Sequence, residues 1–310
     1  MKPKIEWAEV NMDIPQYLED AIAGFIFDLG SHGVFTDRAK SKPYFDFFSG
    51  PKPERLVLLA YFIRDEKLEQ RVEKIRLFIK SAAQAQGKEE IPKVSYEILM
   101  DEDWAENWKC LFQVARIGKR IVIKPSWESV TPAPGEVVIE ITAGMAFGTG
   151  THFSTRLALI LLEEALEEMK KKGPVSVLDV GTGSGILGIV AVKLGVERVV
   201  GIDIDPRAVE IARNNAYLNQ VTSRMQTGET PVAEVPGEFE IVVANILAED
   251  LIEIRKELVS HMKKGGYLIL SGVLTAKRNN VREAFEGEGV ALDRDPTEDE
   301  WIGMRFKKTG

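Results

Sequence analysis

Apolar residues recur along this chain with two periods, and the switches between them outline its elements. "KIEWAEVNM" at 4–12 reads as a strand, after which Ile14, Leu18, Ile22, Phe25 and Leu29 follow at helical spacing. "GVFTD" and "RLVLLAYFI" then read as two strands separated by a loop rich in Pro, Gly and Phe. Leu68, Val72, Ile75 and Ile79 mark a second amphipathic helix, and "VSYEILM" closes the series as a strand. The order βαββαβ predicts a ferredoxin-like α+β domain over residues 1–100. Such a domain hosts many functions and names none of them.

Residues 101–135 break the pattern and read as a linker. "DEDWAENWKC" predicts a short helix whose Trp104 and Trp108 suit packing between modules better than a ligand platform. "FQVARIGKRIVIKPSW" reads as two short strands, and "TPAPGE" at 131–136 supplies the turn chemistry of a boundary.

From 136 to 310 strands and helices alternate. Strands are predicted at 136–141, 175–180, 198–203, 223–227, 239–244 and 266–271, and helices near 153–172, 185–195, 206–219, 249–262 and 277–287. "VALDRD" and "WIGMRF" lie close enough to pair as antiparallel strands. This is the pattern of an α/β fold: a doubly wound parallel sheet with an antiparallel end. In such a sheet a ligand sits beyond the carboxyl ends of strands, at the topological switch point.

Composition narrows the class. The 45% hydrophobic and 28% charged content is that of a globular chain. The longest apolar runs, such as "VLLAYFI" at 57–63, fall short of the ~18 residues of a membrane span. The N-terminus lacks the apolar stretch of a signal peptide, so a cytoplasmic protein without membrane partners is expected. A single cysteine, Cys110, allows no intrachain disulfide, and three scattered histidines give no zinc framework, so no metal is expected. The net charge of −8 argues against direct binding to nucleic acid. It suits a cationic ligand or basic partner, and equally a merely soluble surface. A monomer is expected.

The candidate chemistry centres on "VLDVGTGSGILG" at 177–188. Gly181, Gly183 and Gly185 permit a sharp strand-to-helix turn and close approach of a ligand to backbone. The helix that follows presents N–H groups to an anion, whether a pyrophosphate or a carboxylate. "VVGIDIDP" places Asp203 where a carboxylate accepts both ribose hydroxyls of either a dinucleotide or S-adenosylmethionine. Spacing leaves both cofactors open. Three features favour the methyl donor. Asp179 stands before the loop, where it would meet a cationic amino group or brace loop amides. "GMAFGTGTHFST" precedes the loop and could lie over a ligand. Asn245, at the end of the strand at 239–244, puts a neutral amide where the donated group would sit.

"AGMAFGTGTHFST", "VLDVGTGSGILGI", "VVGIDIDPRAVEIARNNAYLN" and "VVANILA", in this order, resemble the methyltransferases of ribosomal large-subunit protein eleven, the PrmA family. "DEDWAENW", "IVIKPSW", "SGVL" and "DEW" extend the resemblance over most of the chain. It implies an N-terminal recognition domain, a linker and a class I, Rossmann-like methyltransferase domain. It also implies methyl transfer from S-adenosylmethionine to lysine and N-terminal amines of that ribosomal protein. Departures lie beside the donor pocket: Thr142-Ala143 where the family usually has Asp-Pro, Thr151-His152-Phe153-Ser154-Thr155 for its Thr-His-Pro-Thr-Thr, and Thr182 where Cys is common.

The resemblance places donor binding on Thr155, Gly181, Asp203 and Asn245, with Gly183 in the same loop. Thr155 would act through its hydroxyl or backbone, or simply cap a helix start. Asp205, before Pro206, is explained by helix capping alone. His152 could line the pocket; Phe147 could touch the donor or be a buried aromatic. Asn245 carries the expected catalytic role, orienting a neutral acceptor amine, with a plain helix cap as the alternative. An NAD-dependent dehydrogenase, a lysine methyltransferase with another protein target and a non-catalytic binding module are the competing readings.

Overall fold

Strands and helices form close to where the two periods place them. The computed structural model describes residues 6–31, 33–36, 55–89, 91–100, 114–141 and 152–309. Trp104, Trp108, Cys110 and Phe147, with the Gly-Thr-rich segment at 144–151, lie outside them. The chain divides into two units, Met1–Phe112 and Gln113–Gly310.

The first unit runs β1 (Glu6–Pro15), α1 (Glu19–Asp28), β2 (Gly33–Thr36), β3 (Arg55–Ile63), α2 (Leu68–Ala85) and β4 (Lys93–Met100). Its sheet has the order β2-β3-β1-β4, with every neighbouring pair antiparallel. Ala8, Val10, Met12 and Ile14 project from β1 at strand period into one core with Leu18, Ile22 and Ile26 and with Val72, Ile75 and Ile79 of α2. Ile14 therefore belongs to β1, opposite Leu56, and not to the helix whose spacing it matches. The two periods overlap there because the last inward strand position and the first inward helical positions face the same core.

The second unit contains two sheets. β5 (Ala115–Ile117), β6 (Ile121–Lys124) and β7 (Val137–Glu140) form a small one, β5 antiparallel and β7 parallel to β6. The strand expected at 136–141 thus lies apart from the large sheet. It pairs with β6 and buries Ile139 in a core shared with Ile117, Ile121 and the residues of the following helices.

The large sheet is built from α3 (Phe153–Met169), β8 (Ser176–Val180), α4 (Ile186–Lys193), β9 (Arg198–Ile202), α5 (Pro206–Leu218), β10 (Met225–Gly228) and β11 (Phe239–Asn245). It continues through α6 (Ala248–Glu253), α7 (Arg255–Ser260), β12 (Met262–Leu274), α8 (Arg278–Glu286), β13 (Val290–Arg294), β14 (Thr297–Glu298) and β15 (Trp301–Lys308). The helix expected at 249–262 is two helices that meet at Ile254, whose φ of −94° and ψ of 16° leave the helical region. Leu251 and Leu258 bury in one core on either side of that break.

The strand order is β10-β9-β8-β11-β12-β15-β13, with β14 on β15. The pairs from β10 to β12 are parallel and those made by β15 antiparallel. This is the Rossmann-like order of class I methyltransferases. From β8 the chain moves outward through β9 and β10, then returns to β11 on the other side of β8. The carboxyl ends of β8 and β11 therefore flank the switch point, where the fold leaves a crevice. Both strands are covered on two faces and are accordingly buried along nearly their whole length.

Candidate active site

The glycine loop leaves β8 through three left-handed turns, with φ of 70°, 54° and 81° at Gly181, Gly183 and Gly185. A Cβ at Gly181 would also run into the Ile246 side chain, so packing and backbone both require glycine there. The N–H groups of Gly181 and Thr182 both donate to the Ile202 carbonyl at 2.9 Å, and that of Gly185 donates to the Thr182 carbonyl at 2.8 Å. The loop is thereby a fixed bridge between β8 and β9.

Asp179 is fully buried beneath it. Its Oδ2 accepts from the Thr182 hydroxyl at 2.7 Å and from the Gly188 N–H at 3.1 Å, while Oδ1 is buried with no hydrogen-bond partner among the described residues. Of the two roles its position suggested, these bonds are the brace. Burial outweighs both bonds and, with the nearby Asp203 charge, pushes its pKa up to about 6.

Asp203 stands one residue beyond β9. Its Oδ2 accepts from the Gly183 N–H at 2.9 Å and its Oδ1 from the Asp205 N–H at 3.0 Å. Each oxygen keeps further accepting capacity toward the crevice. The neighbouring Ile204 is 96% exposed, an isolated apolar side chain beside a carboxylate. Asp205 accepts from the Arg207 N–H at 2.9 Å and caps α5, with Pro206 at its first position.

On the other side of the switch point Asn245 ends β11. Its Nδ2 donates to the Thr155 hydroxyl at 3.3 Å, and its Oδ1 is buried without a hydrogen-bond partner among the described residues. Leu247 is the cap residue of α6, so Asn245 does not cap it. Thr155 is fully buried in the first turn of α3, whose cap is His152: the imidazole accepts from the Ser154 N–H at 3.2 Å. Thr155 is therefore held by its hydroxyl contact and not by capping. The first turn of α3 also meets the neighbouring strand ends. The Ser271 hydroxyl donates to the Ser154 carbonyl at 2.8 Å, and the rings of His152 and Trp301 meet edge to face at 4.8 Å.

The sequence profile described as "Ribosomal protein L11 methyltransferase (PrmA)" matches residues 6–309. The chain belongs to this family. A ribosomal protein L11 methyltransferase of Geobacter metallireducens is 44% identical over 301 residues, covering 97% of this chain and 98% of that protein. The corresponding protein of Geobacter sulfurreducens is 42% identical over 305 residues, 98% of this chain and 99% of its own length. The crystal structure of a ribosomal protein L11 methylase from Lactobacillus delbrueckii subsp. bulgaricus superposes with a TM-score of 0.59 at 33% identity, covering 64% of this chain and all of that one.

Within this PrmA-family chain the fold brings Gly181, Gly183, Asp203, Asn245 and Thr155 to one rim of the sheet. Asp203 is bonded directly to the loop and Asn245 to Thr155. Three contributors lay outside the sequence-based site. Ser271 and Trp301 reach the rim only because β12 pairs with β11 and β15 with β12. Asn215, fully buried on α5, donates through Nδ2 to the Ser184 carbonyl of the glycine loop at 2.8 Å. A buried asparagine at an inward helical position was the one available signal for it.

Proposed function

We propose that this chain transfers methyl groups from S-adenosylmethionine to lysine and N-terminal amines of ribosomal protein L11, with Asn245 orienting the acceptor amine. Family membership supports the reaction class. The observation that carries the residue assignment is the buried Oδ1 of Asn245, without a hydrogen-bond partner among the described residues, opposite the Asp203-bonded glycine loop.

When bound, S-adenosylmethionine supplies a methyl group on a positively charged sulfur. The residues fit that ligand: Asp203 retains lone pairs for two ribose hydroxyls, Ile204 offers an apolar surface to a purine, and the glycines admit close approach of the loop backbone. The acceptor presents the harder problem. A free lysine amine has a pKa of about 10.4, so only about one in a few thousand is neutral at pH 7. Removal from water lowers that pKa. Asn245 Oδ1 then accepts an N–H of the neutral amine and aims its lone pair at the methyl carbon, while Thr155 holds the amide by its other end. The last proton leaves to water. On this reading the rate enhancement is mainly positional.

The first unit is read as a ferredoxin-like recognition domain gripping the protein substrate, and the chain as a cytoplasmic monomer. Labelled methyl transfer to the unmodified ribosomal protein, followed by mass spectrometry, tests the reaction. Label on amines is expected; no label, or binding of NAD in place of S-adenosylmethionine by calorimetry, overturns it.

A further inference from the structure

Besides β9 and Asp203, the helix α5 holds the glycine loop from outside its own strand. A Cβ at Gly185 would lie 3.1 Å from both the Cα and the Cβ of Ala212, so the missing side chain lets α5 approach the loop backbone. One turn further along α5 lies Asn215, whose Nδ2 donates to the Ser184 carbonyl at 2.8 Å. The N–H of the same peptide, that of Gly185, donates to the Thr182 carbonyl at 2.8 Å. The Ser184–Gly185 peptide is thus clamped at both its polar atoms. The backbone carbonyl of Asn215 accepts from Asn219 Nδ2 at 2.9 Å. Asn219 in turn exchanges two hydrogen bonds with the Glu140 backbone, donating to its carbonyl at 2.6 Å and accepting from its N–H at 2.9 Å. Both asparagines are buried, where an amide is retained only if its bonds are made.

We infer that Asn215 is a positioning residue for the methyl donor. It keeps the Ser184–Gly185 peptide in the orientation that presents the loop to the donor before the donor arrives, and touches neither donor nor acceptor itself. A loop already in its binding conformation avoids the ordering cost that a loose one incurs at each binding event. The inference rests on the reading of this loop as the donor site.

Asn215→Leu removes the side-chain donor to the Ser184 carbonyl. Hydrogen exchange at the Gly185 N–H in the ligand-free protein reads the clamp itself, and calorimetry with S-adenosylmethionine reads its consequence. Expected are lost protection at Gly185 and a donor Kd raised about tenfold or more, with the acceptor KM unchanged at saturating donor. Val221→Ala, a cavity in the same core away from the loop, is the stability control and leaves donor Kd unchanged while lowering Tm. In Asn215→Asp a carboxylate faces the carbonyl, and only its protonated form donates. Donor affinity of that variant recovers as pH falls from about 8 to about 5.5, beyond any change in the wild type. Wild-type donor affinity or intact Gly185 protection in Asn215→Leu overturns the inference. A wild-type protein that does not bind S-adenosylmethionine overturns the functional reading instead, while loss of Gly185 protection would still uphold the clamp.

Discussion

At the scale of single residues, the site depends on carboxylates and amides whose bonding is incomplete in opposite ways. Asp179 is buried with one oxygen braced and one without a hydrogen-bond partner among the described residues, so ionisation is costly. Its folded pKa, about 6, lies above the ordinary 3.8, and the folded chain therefore holds this proton more tightly than the unfolded chain. Its contribution to stability is complete below about pH 3.8 and is lost as pH rises to about 6. Asp179→Asn keeps an acceptor for Thr182 and Gly188 and removes the charge. Thermal unfolding should show the variant more stable by up to about 3 kcal/mol at pH 7.5, with the gap closing near pH 4. A gap independent of pH would contradict the ionisation cost. Asn245 has the converse problem, a buried acceptor with no donor among the described residues. Asn245→Ala should lower kcat about 100-fold with a much smaller change in donor Kd; steady-state kinetics beside calorimetry separate the two. Asp203→Ala loses the Gly183 bond and the proposed ribose contact, and calorimetry should show donor affinity falling at least tenfold, the ~1.5–3 kcal/mol of a charge-assisted bond.

Elements position these groups through close backbone approach. β8, the loop and α4 are legible in the sequence because "VLDVGTGSGILG" combines an apolar strand, three glycines and an apolar helix. Their mutual packing was not legible. Gly185 is glycine both because φ is 81° and because α5 occupies the space of its Cβ. Gly185→Ala should therefore destabilise the protein by about 2–3 kcal/mol in urea titration and weaken donor binding with it. An alanine variant as stable as wild type would show that α5 yields. The same contrast appears in β7: its strand character follows from "EVVIEI", but the choice of β6 as partner depends on which hydrophobic face lies nearest in the folded unit.

For the whole molecule, each unit closes its own core. The residues of the two large clusters around the eight-stranded sheet all lie beyond position 113, and the core of the first unit lies before it. A fragment of residues 113–310 should unfold cooperatively and bind S-adenosylmethionine within about threefold of the full chain. If the first unit recognises the protein substrate, methyl transfer to the ribosomal protein should fall about 100-fold, the equivalent of about 2.7 kcal/mol of lost recognition. Full activity of the fragment in a labelled-transfer assay would reassign recognition to the second unit.

The sequence by itself determined the periods, the turns and the identities of the polar residues at strand ends, because these are local: side-chain alternation, positive φ at glycine and helix capping act over a few residues. That information sufficed for the α/β order and singled out Gly181, Gly183, Asp203 and Asn245 as candidates, whereas Thr155 was implied by the family resemblance alone. Tertiary structure alone decided that Asp179 braces the loop, that Asn245 bonds Thr155 90 residues away in place of capping α6, and that Asn215 clamps a peptide 31 residues before it. Those outcomes depend on which strands become neighbours. Neighbour choice is set by burial summed over the whole core, a quantity no short stretch of sequence contains.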